Sequence, residues 1–202
     1  MITIVDYGMG NVGSIKNMLK YIGTESIITS DPDKINKASK LILPGVGSFD
    51  VAMKNIIKNN LQEVLNIKAL KDKIPILGIC LGMQILTNSS EEGDLNGLGW
   101  INANTLKFKS NETNFKIPHM GWNTVELVNK NSLSKEFNTD TRFYFVHSYY
   151  VKVNNEKNSI LKTQHHIKFD SAINAENIYG VQFHPEKSHK NGMQLFKNFI
   201  KI

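Results

Sequence analysis

The segment Ile76-Leu77-Gly78-Ile79 is apolar at every position and bounded closely enough to read as a strand, not a helix. A strand with no polar face has to be covered on both sides, as at the centre of a parallel sheet. That requirement selects a layered architecture with helices on both faces. The N-terminal half supplies suitable cover, because short β-branched runs alternate there with amphipathic patterns. Ile2–Asp6 reads as a strand and Val12–Ile22 as a helix with apolar residues at 12, 15, 18, 19 and 22. Glu25–Thr29 and Lys40–Leu43 read as strands, the latter ended by Pro44 and Gly45. Phe49–Asn59 and Leu61–Lys71 read as helices, and Leu81–Asn88 as a helix that starts directly after the apolar strand. The second half is strand-rich: Trp100–Phe108, Trp122–Leu127, Arg142–Val146, Ile160–Gln164, Ser171–Asn174 and Ile178–Phe183, before a closing helix at His189–Ile200. The expectation is a single domain over residues 1–202, a three-layer α/β sandwich whose mixed sheet is parallel at its centre.

Charge and composition remove several classes of function. The net charge of +6 invites a nucleic-acid reading, but Arg142 is the only arginine and the lysines are scattered. Guanine readout and phosphate forks favour arginine, and no basic stripe with interleaved aromatics is present, so the lysines read as a solvated surface. No apolar run approaches the ~20 residues that span a bilayer, and the N-terminus has no secretory pattern. Cys80 is the sole cysteine, which excludes an internal disulfide and points to a reducing cytoplasm. His165, His166, His184 and His189 lack metal-ligand spacing, and one thiolate cannot build a zinc cage, so neither metal nor cofactor is expected. Asn88-Ser89-Ser90 and Asn111-Glu112-Thr113 fit glycosylation sequons and read as chance matches without a secretory signal.

Three places can carry chemistry. Gly8-Met9-Gly10-Asn11-Val12-Gly13 fits the dinucleotide fingerprint between a strand and a helix, with Asp31 near the end of the next strand. The competing reading is a tight turn with Asn11 exposed on a contact surface. Gly78-Ile79-Cys80-Leu81-Gly82 is the cysteine counterpart of a nucleophile elbow. Its glycines make room for a sharp strand-to-helix turn that lifts the sulfur to a helix N-terminus, where free amides favour a thiolate. The competing reading is a buried structural cysteine. In Gln182-Phe183-His184-Pro185-Glu186 an extended course puts residues 184 and 186 on one side, so the Glu186 carboxylate can fix the tautomer of His184. A cysteine elbow together with a His-x-Glu pair at another strand end is a sharper signal than either alone.

These residues carry a family resemblance. GICLGMQ (78–84) and QFHPEKS (182–188) resemble the class I glutamine amidotransferases. DYGMGN (6–11), LPGVGSF (43–49), PHMGWN (118–123) and YFVHSYY (144–150) resemble, within them, the glutaminase subunits of imidazole glycerol phosphate synthase, in the same order along the whole chain. The resemblance implies a flavodoxin-like fold and hydrolysis of L-glutamine to glutamate and ammonia. It assigns Cys80 as nucleophile, His184 as general acid and base, and Glu186 as its orienter. It assigns Gly45, Val46 and Gly47 of the strand beginning at Pro44, with the Leu81 amide, to the oxyanion hole. Gln84, Glu92, Ser148 and Tyr149 fall where the family holds glutamine, Glu92 being chosen over Glu91 by its distance from the cysteine.

The resemblance also implies a partner. About 200 residues suffice for a glutaminase and leave no acceptor domain, so ammonia should pass to a cyclase with a (β/α)₈ barrel, in a heterodimer, for imidazole glycerol phosphate and aminoimidazole carboxamide ribotide. Asn11, Pro118, His119, Met120, Gly121, Trp122, Asn123 and Lys187 fall at that interface, although Trp122 also reads as a core residue starting a strand. His165-His166 stands where the family usually has Tyr-Gly, and the end KSHKNGMQLF (187–196) resembles second copies of the subunit that accompany surface-sugar genes. A sugar-modifying acceptor therefore stays open, as does a non-catalytic module on the same fold.

Overall fold

The computed structural model describes residues 1–109 and 116–202. The N-terminal half runs β1 (Ile2–Val5), α1 (Val12–Tyr21), β2 (Ser26–Thr29), α2 (Pro32–Asn36), β3 (Leu41–Gly45), α3 (Phe49–Lys58), α4 (Leu61–Asn66), β4 (Ile76–Cys80) and α5 (Leu81–Ile85). The remainder runs β5 (Ala103–Lys107), β6 (His119–Thr124), β7 (Glu126–Leu127), β8 (Arg142–His147), β9 (Tyr149–Val153), β10 (Ser159–His165), β11 (Ile167–Ala175), β12 (Ile178–Val181) and α6 (His189–Lys201). The main sheet has the order β2-β1-β3-β4-β12-β11-β10-β7, and β5 and β9 join it through β11. Its first five strands are parallel and the pairs beyond β12 antiparallel, while β6 and β8 form a separate antiparallel pair.

The apolar strand lies where its composition demands. β4 is buried along its whole length between β3 and β12. Neighbouring strands show why both faces must be apolar: Leu41 and Leu43 enter a core with Phe49, Ile56 and Leu65, while Ile42 enters another with Leu19, Leu195 and Phe199. Helices α3 and α4 thus cover one face, and α1 and α6 the other, giving the expected three layers. No helix among the described residues is long and apolar enough to cross a membrane.

Departures from the sequence expectations have local causes. β3 continues through Pro44 and Gly45 because beyond Ile42 it pairs only with β4, so the missing proline N–H costs no bond to β1. The helix expected over 81–88 ends at Ile85. Its last carbonyls are taken by a returning loop: Leu98 N–H donates to Ile85, Ile101 to Leu86 and Gly99 to Thr87. The helix expected over 61–71 is α-helical only to Asn66 and closes in a π-helical turn, where buried Lys68 donates to Asn36 O and pairs with Asp72 at 2.8 Å. The strand expected over 122–127 begins at His119 and breaks before Glu126. Helix α2 and strand β9 carry no sequence expectation at all. The former is too short for periodicity, and only Ser148 separates β8 from β9, although the chain changes sheets there. Asn88 is bonded to Asn102, and the second sequon, 111–113, lies outside the described residues.

Candidate active site

Parallel pairing brings the ends of β3, β4 and β12 to one edge, the usual location of sites in such sheets. Cys80 ends β4 at φ +55° and ψ −110°, a backbone region costly for a residue with a side chain and typical of functional turns. The turn is possible because its neighbours are glycines. A Cβ on Gly78 would lie 2.5 Å from the Gly82 carbonyl oxygen, and one on Gly82 would overlap the Leu43 carbonyl. Helix α5 begins at Leu81, so its first amides have no carbonyl one turn earlier in the helix.

Because Val181 is paired with Ile79, the chain leaving β12 passes beside the sulfur. Gln182 is fully buried and its Nε2 donates to Cys80 Sγ at 3.7 Å. His184 is held by its own N–H on the Tyr144 carbonyl and by Ser188 Oγ donating to its carbonyl. Its Nδ1 meets Glu186 Oε1 at 2.7 Å, with both side chains only 2% exposed. Glu186 reaches back from a 3₁₀ turn over Pro185–Lys187, not from the extended course expected of the sequence. Burial pulls the His184 imidazole toward the neutral form. The Cys80 and Glu186 side chains, the latter bonded to Nδ1, outweigh it and push the pKa up to about 10, while Nε2 itself has no hydrogen-bond partner among the described residues. A histidine so placed can hold the thiol proton and return it.

A cavity of about 320 Å³ opens at Cys80, lined by Val46, Gly47, Leu81, Gln84, Glu92, Pro118, Val146, His147, Ser148 and Tyr149. All four residues expected to hold glutamine therefore meet in one pocket. Glu92 accepts the Phe49 amide at 3.0 Å, and burial raises its pKa. Glu91 faces elsewhere, accepting the Lys107 amide and pairing with Lys109. Gly45 sits opposite Cys80 in the β3–β4 register, while Val46 is exposed and Gly47 has φ +105°. Tyr7 donates to the Pro44 carbonyl at the base of this loop; burial and the Cys80 charge keep its phenol protonated.

The glycine-rich turn at 8–13 has a packing explanation. A Cβ on Gly10 would stand 3.0 Å from the Gly45 amide, so the turn underlies the loop beside Cys80. Asn11 caps α1 by accepting the Ser14 amide, and Asp31 caps α2 by accepting that of Asp33.

Along β6 the side chains alternate, with Met120 and Trp122 exposed and His119 buried. Trp122 stacks flat on His189 at 5.5 Å with Arg142 over its ring, which places it on the surface and not in the core. Lys187 is exposed, over the Tyr144 ring. Pro118 borders the cavity, and Gly121 and Asn123 are partly exposed. Sequence reasoning assigned no role to Gln182 or His147, which meet Cys80 and His119 from far along the chain, and it set His119 at the partner interface, whereas its ring is buried. Among the described residues no group of three or more His, Cys, Asp and Glu side chains is arranged to hold a metal ion.

Comparison with known proteins gives concordant results. A family model described as glutamine amidotransferase class-I matches residues 3–202. The chain is 61% identical over 201 residues to imidazole glycerol phosphate synthase subunit HisH 2 of Methanococcus maripaludis, covering 100% of this chain and 99% of that one. It is 44% identical to the subunit HisH 2 of Pseudomonas aeruginosa, with 100% of both chains covered. Among solved structures, a glutamine amidotransferase superposes with a TM-score of 0.78 at 14% identity, covering 99% of this chain and 97% of that one. PurLQS from Thermotoga maritima superposes with a TM-score of 0.75 at 18% identity, with the same coverage. At these identities the superpositions speak to the fold, which is that of the sandwich described above.

Proposed function

The chain belongs to the class I glutamine amidotransferase family, among the HisH subunits of imidazole glycerol phosphate synthase, and on that footing we propose that Cys80 is the nucleophile that releases ammonia from L-glutamine. The observation that carries the proposal is the junction of three strand ends, where a strained cysteine meets a buried His184–Glu186 pair. The sulfur, having given its proton to His184, attacks the side-chain amide carbon of glutamine. The C–N bond breaks as His184 returns the proton to the leaving nitrogen, which departs as ammonia. Water, deprotonated by the same imidazole, then cleaves the γ-glutamyl thioester and yields glutamate. The oxyanion of each tetrahedral intermediate is stabilised by the Leu81 amide and by the 45–47 loop, where one donor is typically worth ~10²–10³ in rate. Gln84, Glu92, Ser148 and Tyr149 hold the amino-acid end of the substrate.

The chain works as one subunit of a synthase, and the ammonia passes to a cyclase subunit with a (β/α)₈ barrel. The product there is imidazole glycerol phosphate, a step of histidine biosynthesis in the cytoplasm. Residues 1–202 act as one domain. The partner covers β6, where exposed Trp122 and Met120 are the side-chain types that interfaces favour. Nothing in the site favours a sugar-modifying acceptor over this one, and an assembled Cys80–His184–Glu186 set argues against a non-catalytic module. The test is paired assays of the complex. Cys80→Ala should abolish synthesis from glutamine and leave synthesis from added ammonia near wild type. Glutamine-dependent turnover surviving in Cys80→Ala would refute the assignment.

A further inference from the structure

Behind the cavity, groups from β6, β8, β9, α5 and the segment leaving β12 form a continuous hydrogen-bonded chain that ends at the sulfur. Asn123 Nδ2 lies 3.1 Å from His119 Nε2, His119 Nδ1 lies 2.9 Å from His147 Nε2, and His147 Nδ1 lies 2.7 Å from the Tyr149 carbonyl. The same carbonyl takes Gln84 Nε2 at 3.3 Å. Gln84 Nε2 also meets Gln182 Oε1 at 3.2 Å, and Gln182 Nε2 donates to Cys80 Sγ at 3.7 Å.

The donors and acceptors fix the polarity of this chain. A carbonyl only accepts, so His147 carries its proton on Nδ1. In a neutral ring its Nε2 is then an acceptor, and His119 must donate from Nδ1. His119 Nε2 is left to accept from the Asn123 amide. From the other side, Gln84 spends both amide hydrogens on the Tyr149 carbonyl and Gln182. That leaves Gln182 one orientation, with its own amide hydrogens toward the sulfur. With both rings neutral, both are therefore in the Nδ1–H form. Burial, with the neighbouring imidazoles, holds His119 down at about 4 and His147 at about 3, in agreement with that reading. The rings are also confined: His119 stacks on Phe145 at 4.7 Å and on His165 at 4.1 Å.

We propose that His119 and His147 are positioning residues that, through the Tyr149 carbonyl, Gln84 and Gln182, couple strand β6 to the nucleophilic sulfur of Cys80. The proposal deepens the functional reading above and rests on Cys80 being the nucleophile. Its consequence is regulatory. β6 turns Trp122 and Met120 outward and His119 inward, so a partner seated on the outer face shifts the strand that anchors the donor chain.

The test uses the intact chain, where Cys80 is the only cysteine, and reads the rate of its alkylation by iodoacetamide at neutral pH. His119→Phe keeps a ring for stacking and removes both nitrogens. His119→Asn retains an N–H near the Nδ1 position. Alkylation should slow about threefold or more in His119→Phe, the scale of one hydrogen bond, and recover to within about twofold of wild type in His119→Asn. A folded His119→Phe that alkylates at the wild-type rate overturns the proposal, as does a His119→Asn no better than His119→Phe. Two-bond proton–nitrogen correlation spectra of the wild-type imidazoles need no variant. Both rings should be in the Nδ1–H form, and an Nε2–H form of either overturns the proposal. A wild-type complex that leaves glutamine intact, with alkylation still dependent on His119, would refute the glutaminase reading and support the coupling.

Discussion

At His184 burial and charge act in opposite directions, and charge wins. The group that decides this besides Cys80 is Glu186, 2.7 Å from Nδ1. Replacing it by Gln keeps the shape and removes the anion, so the imidazolium loses part of its support and its pKa falls. Glu186→Gln should therefore lower glutaminase kcat less than His184→Ala, which removes the proton carrier and with it the ~10²–10⁴-fold that acid–base catalysis supplies. The accompanying signature is a downward shift of the His184 titration in Glu186→Gln, followed by NMR. An unchanged titration would mean that Glu186 does not support the charged ring. Most of this was legible in the residues, because the elbow glycines and the His-x-Glu spacing mark the site by local pattern alone. Gln182 and His147 were not, because their partners are brought in from other strands by the sheet register, which no local spacing encodes.

At the level of elements, the site depends on how closely α5 can approach β3. Gly82 faces the Leu43 carbonyl with no room for a methyl group. Gly82→Ala should force the two apart and cost roughly 1–3 kcal/mol of stability, as overpacked cores do, measurable by urea denaturation. A variant as stable as wild type would show that the elbow can relax. The layered sheet could be read from β-branched runs alternating with amphipathic ones, because burial on both faces leaves a compositional mark. Helix lengths could not: α5 stops at Ile85 because a loop from residues 98–101 captures its carbonyls, a long-range event. Trp122 was ambiguous for the same reason, since a strand end is compatible with either core or surface. Its exposure now makes the expectation one-sided. Trp122→Ala should leave the melting temperature of the free chain nearly unchanged and weaken partner binding by ~2 kcal/mol or more, measured by calorimetry. Unchanged affinity would remove β6 from the interface.

For the whole molecule, three buried histidines set the dependence of stability on pH. The folded chain holds a proton on His184 up to about 10, whereas an unfolded chain releases it near the ordinary value of about 6.5. That contribution is complete below about 6.5 and is lost as pH rises toward 10. His119 and His147 behave oppositely. Held neutral down to about 4 and about 3, they leave the unfolded chain better able to take up protons, so stability falls as pH drops below about 6.5. Urea midpoints should decline on both sides of about pH 6.5, and His184→Gln should flatten only the alkaline side. A decline unaltered in that variant would assign the alkaline loss to other groups. Of the three histidines, His184 serves the sulfur of Cys80 directly, and the central claim is that this sulfur bonds to the substrate. Its most direct test is a rapid acid quench of the complex turning over glutamine, followed by mass spectrometry of the peptide containing Cys80. The account predicts a γ-glutamyl adduct on Cys80 that is absent from Cys80→Ala. A complex that releases glutamate with no adduct there, or with the adduct on another residue, would contradict it.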